Sequence, residues 1–123
     1  MMIVALHHVQ LAMPAGGEEK ARAFYGKLMG LTERPKPEML QNRGGCWFED
    51  GPVRVHLGVE SDFRPARKAH PGFQVSQFAA LLDKFGDAGH NITYGEPIDD
   101  LARFFVDDPF GNRVEIVAME KSL

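Results

Sequence analysis

The stretch Arg103-Phe104-Phe105-Val106-Asp107-Asp108-Pro109-Phe110-Gly111-Asn112-Arg113-Val114-Glu115-Ile116 carries the clearest structural pattern in the chain. Apolar residues predominate toward its first end, and apolar and polar residues alternate toward its second, which is typical of strands that bury at least one face. Its centre, from Asp108 to Asn112, combines residues that favour a tight turn. We therefore predict strands over residues 101–106 and 114–119, joined by this turn.

Residues 70–94, which precede this stretch in the second half of the chain, are predicted to form a strand, a helix and another strand. Residues 70–75 and 92–94 have the strand pattern. Between them, apolar residues recur at the spacing of one helical face: Phe78, Leu81, Leu82 and Phe85. Ser76 is a suitable N-cap for this helix, and Gly89 is a suitable stop.

The first half of the chain repeats this order of elements. A strand over residues 3–13 precedes a helix that begins near Glu18, where negative charge is favoured, and ends at Gly30. The apolar face of this helix has the same spacing: Ala21, Phe24, Tyr25 and Leu28. Three further strands are predicted over residues 31–33, 46–48 and 53–59.

Two copies of one unit, repeating at about 60 residues, are each too small to bury their own apolar face and are expected to share a core. The predicted fold class is α+β, with two βαβββ modules that form a cupped, mostly antiparallel eight-stranded sheet and helices on the outside. We expect one domain over residues 1–123, with module 1 at about 1–60, a linker at about 61–69 and module 2 at about 70–120. The modules could pair within one chain or between chains.

Composition excludes several functional classes. The net charge of −3 gives no basic footprint for nucleic acid. No apolar stretch approaches the roughly 20 residues that a membrane span needs, and the first residues have no signal-peptide pattern. The single cysteine, Cys46, cannot form a disulfide within the chain and is expected to be a small buried residue. We expect a cytoplasmic protein.

Strand parity collects the chemically active side chains on one face of the predicted sheets, opposite the helices. His8 and His70 belong to the first strand of each module, and His56 and Glu115 to the last. A pseudo-two-fold axis would bring these four together, and imidazole with carboxylate suits zinc, nickel, iron or manganese. The alternative is that each histidine is simply solvated or hydrogen-bonded. His7 and His90 do not share this parity and repeat position with other candidate ligands.

Other side chains are candidates for contacting a small-molecule substrate. The arginines could bind a carboxylate or phosphate, or be surface charge, and the aromatic residues could line a pocket or belong to the core. The candidate substrate-binding residues are Gln10, Trp47, Phe48, Arg54, Gln74, Arg103 and Phe105.

Three motifs resemble the vicinal oxygen chelate superfamily, which includes glyoxalases, bleomycin resistance proteins and extradiol dioxygenases. They are His7-His8-Val9-Gln10-Leu11, then Ala23-Phe24-Tyr25 followed by Leu28-Met29-Gly30-Leu31, and the closing stretch from Arg103 to Ile116. Met29 departs slightly from the family's helix end. The likeness spans almost the whole chain, and the closing motif is specific for the superfamily but not for a reaction.

The resemblance implies a divalent metal site held by His8, His70 and Glu115, with His56 at the fourth position. Glyoxalase I enzymes have Glu where this chain has His56, whereas extradiol dioxygenases and fosfomycin thiol transferases use the His, His, Glu set. Glu115 is then the in-line carboxylate available for catalysis, as metal ligand or base.

Three hypotheses follow for the function. The first is a metal-dependent enzyme of lyase, isomerase or dioxygenase type, whose substrate is chelated through neighbouring oxygens. The second is a metal-free binding protein of the bleomycin-resistance type, with a pocket lined by Trp47, Phe48, Phe105 and Arg103. The third is a relative retained for dimer structure alone. In each case the family's habit suggests a homodimer.

Overall fold

A computed structural model describes residues 1–121, which form eight strands and three helical segments. The strands are β1 (Val9–Met13), β2 (Thr32–Arg34), β3 (Cys46–Asp50), β4 (Val53–Val59), β5 (Gly72–Val75), β6 (Ile92–Tyr94), β7 (Arg103–Asp107) and β8 (Arg113–Ala118). The helices are α1 (Glu18–Ala21), continued by a π-helical segment (Arg22–Leu28), a 3-10 helix (Glu38–Arg43) and α2 (Phe78–Asp87).

The chain divides into two compact units, one from Met1 to Arg64 and one that begins at Pro65. The strand order is β1-β4-β3-β2 in the first unit and β5-β8-β7-β6 in the second. In each sheet the first and last strands of the βαβββ order are parallel neighbours, and the other pairs are antiparallel. The α+β fold class and the βαβββ order are confirmed, with the eight strands in two four-stranded mixed sheets.

One face of the first sheet forms the core of the first unit. Its side chains are almost fully buried: Leu11, Met13, Cys46, Phe48, Val55 and Leu57. The helical segment covers this face, and the ring of Tyr25 lies 6.0 Å from that of Phe48. The alternation of strand side chains therefore places the core as the sequence predicts.

The second sheet buries the equivalent face beneath α2. Its buried side chains are Phe104, Val106, Val114 and Ile116. Phe78 and Phe85 of α2 both contact the Phe104 ring, at centroid distances of 5.1 and 6.2 Å. Ser76, however, is not the N-cap of this helix. Gln77 occupies that position, and no side chain caps the helix.

The predicted first strand is too long. β1 begins at Val9 rather than at residue 3, and residues 1–8 are exposed. The register explains the difference, because Val9 pairs with Val55 and β4 begins only two residues earlier, at Val53. β4 therefore offers no partner to residues 3–6, although their apolar pattern suits a strand.

The first helix differs from the prediction in its winding. The N–H of Met29 donates to the carbonyl of Phe24, five residues earlier, at 3.0 Å. This wider turn allows two successive aromatic side chains, Phe24 and Tyr25, to be buried together, at 1% and 0% exposure. Within residues 1–121, no helix is long and apolar enough to cross a membrane.

Glu18 connects the start of the first helix to the residue that precedes β3. Its Oε2 accepts a hydrogen bond of 2.8 Å from the N–H of Gly45. Only glycine suits this position, because a Cβ on Gly45 would collide with the carbonyl oxygen of Leu57. The hydrogen bond from Gly45 lowers the pKa of Glu18 below its ordinary value of 4.5.

The substitution Glu18→Gln is expected to lower the free energy of unfolding by about 1 kcal/mol at neutral pH, because the charge-assisted hydrogen bond is weakened. Since the folded-state pKa is lowered, this contribution is present above pH 4.5 and is lost as the pH falls through the folded-state value. Urea denaturation across this range measures it. Glu19→Gln is the control, because that side chain is 95% exposed. Equal losses in both variants would contradict the assignment.

Two adjacent residues of β3 test the assignment of the core face. Phe48 is fully buried, whereas Trp47 is half-buried on the opposite face. We expect Phe48→Ala to lower the free energy of unfolding by about 3–5 kcal/mol and Trp47→Ala to lower it by less than half of that. Urea denaturation of both variants measures the difference, and the reverse order would show that the faces are misassigned.

Candidate functional site

The uncovered face of the first sheet carries the polar side chains that the sequence predicts there. Gln10 of β1 and Trp47 of β3 are both register partners of His56 on β4, so the three side chains lie on one face. Arg54 shares this face by parity and donates to the carbonyl of His7 at 3.2 Å. We call these residues, with His8, the first polar face.

His56 lies between two other rings. Its imidazole is stacked on Trp47, with centroids 3.9 Å apart and planes 4° apart, and on His8 at 4.4 Å and 19°. Burial, and then the neighbouring His8, lowers the pKa of His56 below 6.5. A neutral imidazole keeps a nitrogen lone pair, which is the form that binds metals.

His8 itself precedes β1 rather than lying within it. Its Nδ1 lies 3.0 Å from Nδ1 of His7. Beside this group, Gln10 and Trp47 line a cavity of about 260 Å³ together with the side chains of Lys36, Leu40 and Arg43.

The equivalent face of the second sheet is built around a buried carboxylate. Glu115 of β8 is 7% exposed, and its Oε1 lies 2.8 Å from Nε2 of His70. Its other oxygen, Oε2, accepts from the Arg103 guanidinium at 3.4 Å. Arg103 also donates from Nε to the carbonyl of Glu96 at 2.6 Å, which holds it in place. We call His70, Arg103, Phe105 and Glu115 the second polar face.

The contacts of His70 determine where its ring protons lie. A carbonyl oxygen only accepts, so Nδ1 must donate to the carbonyl of Lys68, 2.8 Å away. Nε2 then faces Glu115 Oε1 at 2.8 Å, and two acceptors would meet there unless a proton or another cation lies between them. Metal-binding histidines commonly donate their second N–H to a carbonyl in this way. One imidazole nitrogen and one carboxylate oxygen are also donors that divalent cations such as zinc accept.

The remaining candidates on the second polar face are also placed. Phe105 packs edge-on against His70, with centroids 5.4 Å apart, and lies under the Arg103 guanidinium at 5.1 Å. Gln74 shares the parity of Glu115, but its amide donates to the carbonyl of Ala118 at 3.3 Å. His70 precedes β5, which begins at Gly72 rather than at residue 70.

Phe48 is the one candidate that lies elsewhere. It points into the core against Tyr25, so we no longer assign it to ligand binding. The four predicted metal ligands fall into two pairs, His8 with His56 in the first unit and His70 with Glu115 in the second. Neither unit, as far as its described residues show, gathers three or more His, Cys, Asp or Glu side chains suited to a metal.

Sequence reasoning missed two arginines of the second unit, Arg67 and Arg113. They line a second cavity, of about 400 Å³, whose wall includes Phe105. Strand alternation places Arg113 on the same face as Glu115. The sequence analysis did not identify it because the predicted strand began at residue 114, whereas β8 begins at Arg113. Arg67 lies in a segment without strand or helix periodicity, so no sequence pattern indicated which surface it faces. Cys46 is buried, and burial raises its pKa to about 11, so it is not a reactive thiolate.

The sequence and the fold can be compared with known proteins. The family model of the Glyoxalase/Bleomycin resistance protein/Dioxygenase superfamily matches residues 5–116. The crystal structure of a glyoxalase family protein from Bacillus anthracis is 44% identical, with 98% of each chain covered and a TM-score of 0.90. The comparison with curated proteins gives no match.

More distant structures share the fold alone. A glyoxalase/dioxygenase from Nostoc punctiforme is 20% identical, with 95% of this chain and 92% of that chain covered and a TM-score of 0.77. The fosfomycin resistance protein FosX from Listeria monocytogenes is 14% identical, with 99% and 96% covered and a TM-score of 0.73. The family match and the Bacillus relative decide the assignment: this chain belongs to the glyoxalase/bleomycin resistance protein/dioxygenase superfamily.

Proposed function

We propose that this chain is a divalent-metal-dependent enzyme that acts on a small substrate through two neighbouring oxygens. The observation that carries the proposal is the His70–Glu115 pair, in which an imidazole nitrogen that has its other N–H fixed faces a buried carboxylate oxygen at 2.8 Å. Superfamily membership supports it, because members named as glyoxalase, dioxygenase and fosfomycin resistance proteins share this fold.

The proposed ligands are His8, His70 and Glu115, with His56 as the fourth. Zinc, nickel, iron and manganese all accept this mixture of imidazole and carboxylate, so the donors do not select among them. When bound, such an ion supplies Lewis acidity toward the substrate oxygens.

The chain's own residues supply orientation and proton transfer. Glu115 is the carboxylate that accepts and returns a proton at Oε1 or Oε2. Arg103 holds Oε2 at 3.4 Å and is itself held by the Glu96 carbonyl, so it fixes the carboxylate. Lys68 fixes His70 through its carbonyl. Proton transfer beside a carbonyl, as in lyases and isomerases, is the reaction that suits this group best; ring-opening oxygenation of a catechol is the second candidate.

The metal requirement can be tested on untagged protein by elemental analysis after reconstitution with zinc, nickel, manganese or iron(II). We expect close to one ion per chain, and at least about tenfold weaker binding in His70→Ala and Glu115→Gln, because each removes one donor. His90→Gln is the control, since His90 packs against Phe85 with centroids 6.1 Å apart, away from these residues.

Activity assays separate the reaction types. The reconstituted protein is assayed with a hemithioacetal in the presence of nickel or zinc, and with a catechol in the presence of iron(II) and oxygen. Absence of metal from the wild-type protein, or unchanged binding in His70→Ala, would contradict the proposed enzyme whatever these assays give.

The second candidate function is a metal-free binding protein of the bleomycin-resistance type. The cavity of about 260 Å³ on the first polar face favours it, because Trp47 and Gln10 line it beside two cationic residues, Lys36 and Arg43. Ligand binding that persists in the presence of a chelator, with no turnover, would favour this function over the enzyme.

We also propose that the partner of this chain is a second copy. The residues before β1 carry five apolar side chains that are at least 78% exposed: Met1, Met2, Ile3, Val4 and Leu6. Burying each of the branched ones in an interface is worth about 1.5–3 kcal/mol, which would stabilise a pair of chains that associate through this segment.

Sedimentation equilibrium tests this pairing. We expect a dimer in the wild type and at least about tenfold weaker association when Ile3, Val4 and Leu6 are all changed to Ser. Met39→Ser is the control, because that side chain is 84% exposed but isolated from these residues in sequence. A monomeric wild type at all concentrations would disprove the pairing.

A further inference from the structure

The second unit contains a cavity whose arginines have no role in the metal binding and proton transfer described above. It has a volume of about 400 Å³ and is lined by Arg67, Thr93, Phe105, Asp107, Gly111 and Arg113. Its lining holds two guanidinium groups and one carboxylate. The cavity therefore has a net positive charge in a chain whose overall charge is −3.

Arg113 packs against an aromatic ring, and its cross-strand register partner is Asp107. Its guanidinium lies over the Phe105 ring, with Cζ 3.7 Å from the ring centroid. Among the described residues, neither Arg113 nor Arg67 forms an ion pair, whereas Arg103 on the same face is committed to Glu115. A guanidinium stacked in this way keeps its in-plane N–H groups free for an acceptor.

The turn before β8 fixes the backbone beside both arginines. The N–H of Arg113 donates to the carbonyl of Ala66 at 2.8 Å, and the N–H of Ala66 donates to Asn112 Oδ1 at 3.0 Å. Asn112 is in turn held by the buried carboxylate of Asp108, which accepts from its N–H and its side-chain amide. The segment that carries Arg67 is thus tied to the turn from which Arg113 emerges.

We propose that this cavity binds an oxyanion, the carboxylate or phosphate group of a small molecule, with Arg113 as the main donor and Arg67 as the second. A planar guanidinium donates two parallel hydrogen bonds to either group. Phe105 orients Arg113 from below. Asp107 limits the affinity for an anion because its carboxylate has the same charge as the ligand.

The position of this cavity also defines a class of substrate, a step that rests on the proposed function. Arg113 and Glu115 are two residues apart on one strand and share a face, so they are roughly 7 Å apart along the strand. Phe105 is the direct register partner of Glu115 and contacts Arg113 and His70. A substrate whose reacting oxygens lie at Glu115 would place an anionic group at Arg113, so we infer a small anionic substrate.

The experiment is an NMR titration of the full-length chain with inorganic phosphate and with acetate, at constant ionic strength and with a chelator present. We expect saturable shifts at the Arg113 side chain and the Gly111 amide. Arg113→Gln should weaken binding about tenfold, because it removes the charge-assisted donor, and Arg67→Gln should weaken it less. Arg22→Gln removes the same charge where the guanidinium already pairs with Glu33 at 2.8 Å, and should leave binding unchanged.

Asp107→Asn keeps the result interpretable if Arg113→Gln folds poorly. It removes the like charge, so we expect tighter binding, which a folding defect cannot imitate. Saturation by phosphate alone, acetate alone or both supports the site and identifies the group. Absence of saturable shifts, an equal loss in Arg22→Gln, or no tightening in Asp107→Asn overturns it. Because metal is excluded, this result is independent of the metal-binding test: either proposal can fail while the other stands.

Discussion

The parallel pairing of the first and last strands in each module is the contact on which the polar faces depend. It places Gln10 beside His56 and Gly72 beside Glu115, so residues far apart in the chain become neighbours. The helix covers one face of each sheet and buries its apolar side chains. Strand alternation then places Gln10, His56 and Glu115 on the opposite face of each sheet.

Much of this arrangement could be predicted from sequence, because alternation and helical spacing report burial directly. These patterns predict the bounds of β4 and β6 correctly, and they place Phe105 on the face opposite the core. Periodicity cannot identify the partner of a strand: residues 3–6 have a strand pattern, but β4 has no residues opposite them. Periodicity also cannot distinguish π from α winding. Phe48 is a pocket candidate only because it is aromatic, and its parity places it in the core. Arg67 has no pattern at all.

Superfamily membership settles the architecture and leaves the chemistry to individual side chains. In this chain, the polar contacts of Glu115 and His70 define the second polar face, and these contacts cannot be read from the sequence. Glu115 has one oxygen toward His70 and the other toward Arg103. The carbonyl of Lys68 determines which nitrogen of His70 faces the carboxylate. The backbone of Lys68 therefore orients the imidazole of His70, and the Lys68 side chain has no part in this hydrogen bond.

The ring stack on the first polar face has an optical consequence. Trp47 is the single tryptophan of the chain, and its indole lies 3.9 Å from the imidazole of His56. Protonated imidazole quenches indole emission more strongly than neutral imidazole does. The intrinsic fluorescence of the protein is therefore a built-in signal of the charge on His56, and any cation or ligand that displaces this ring changes the emission without an added label.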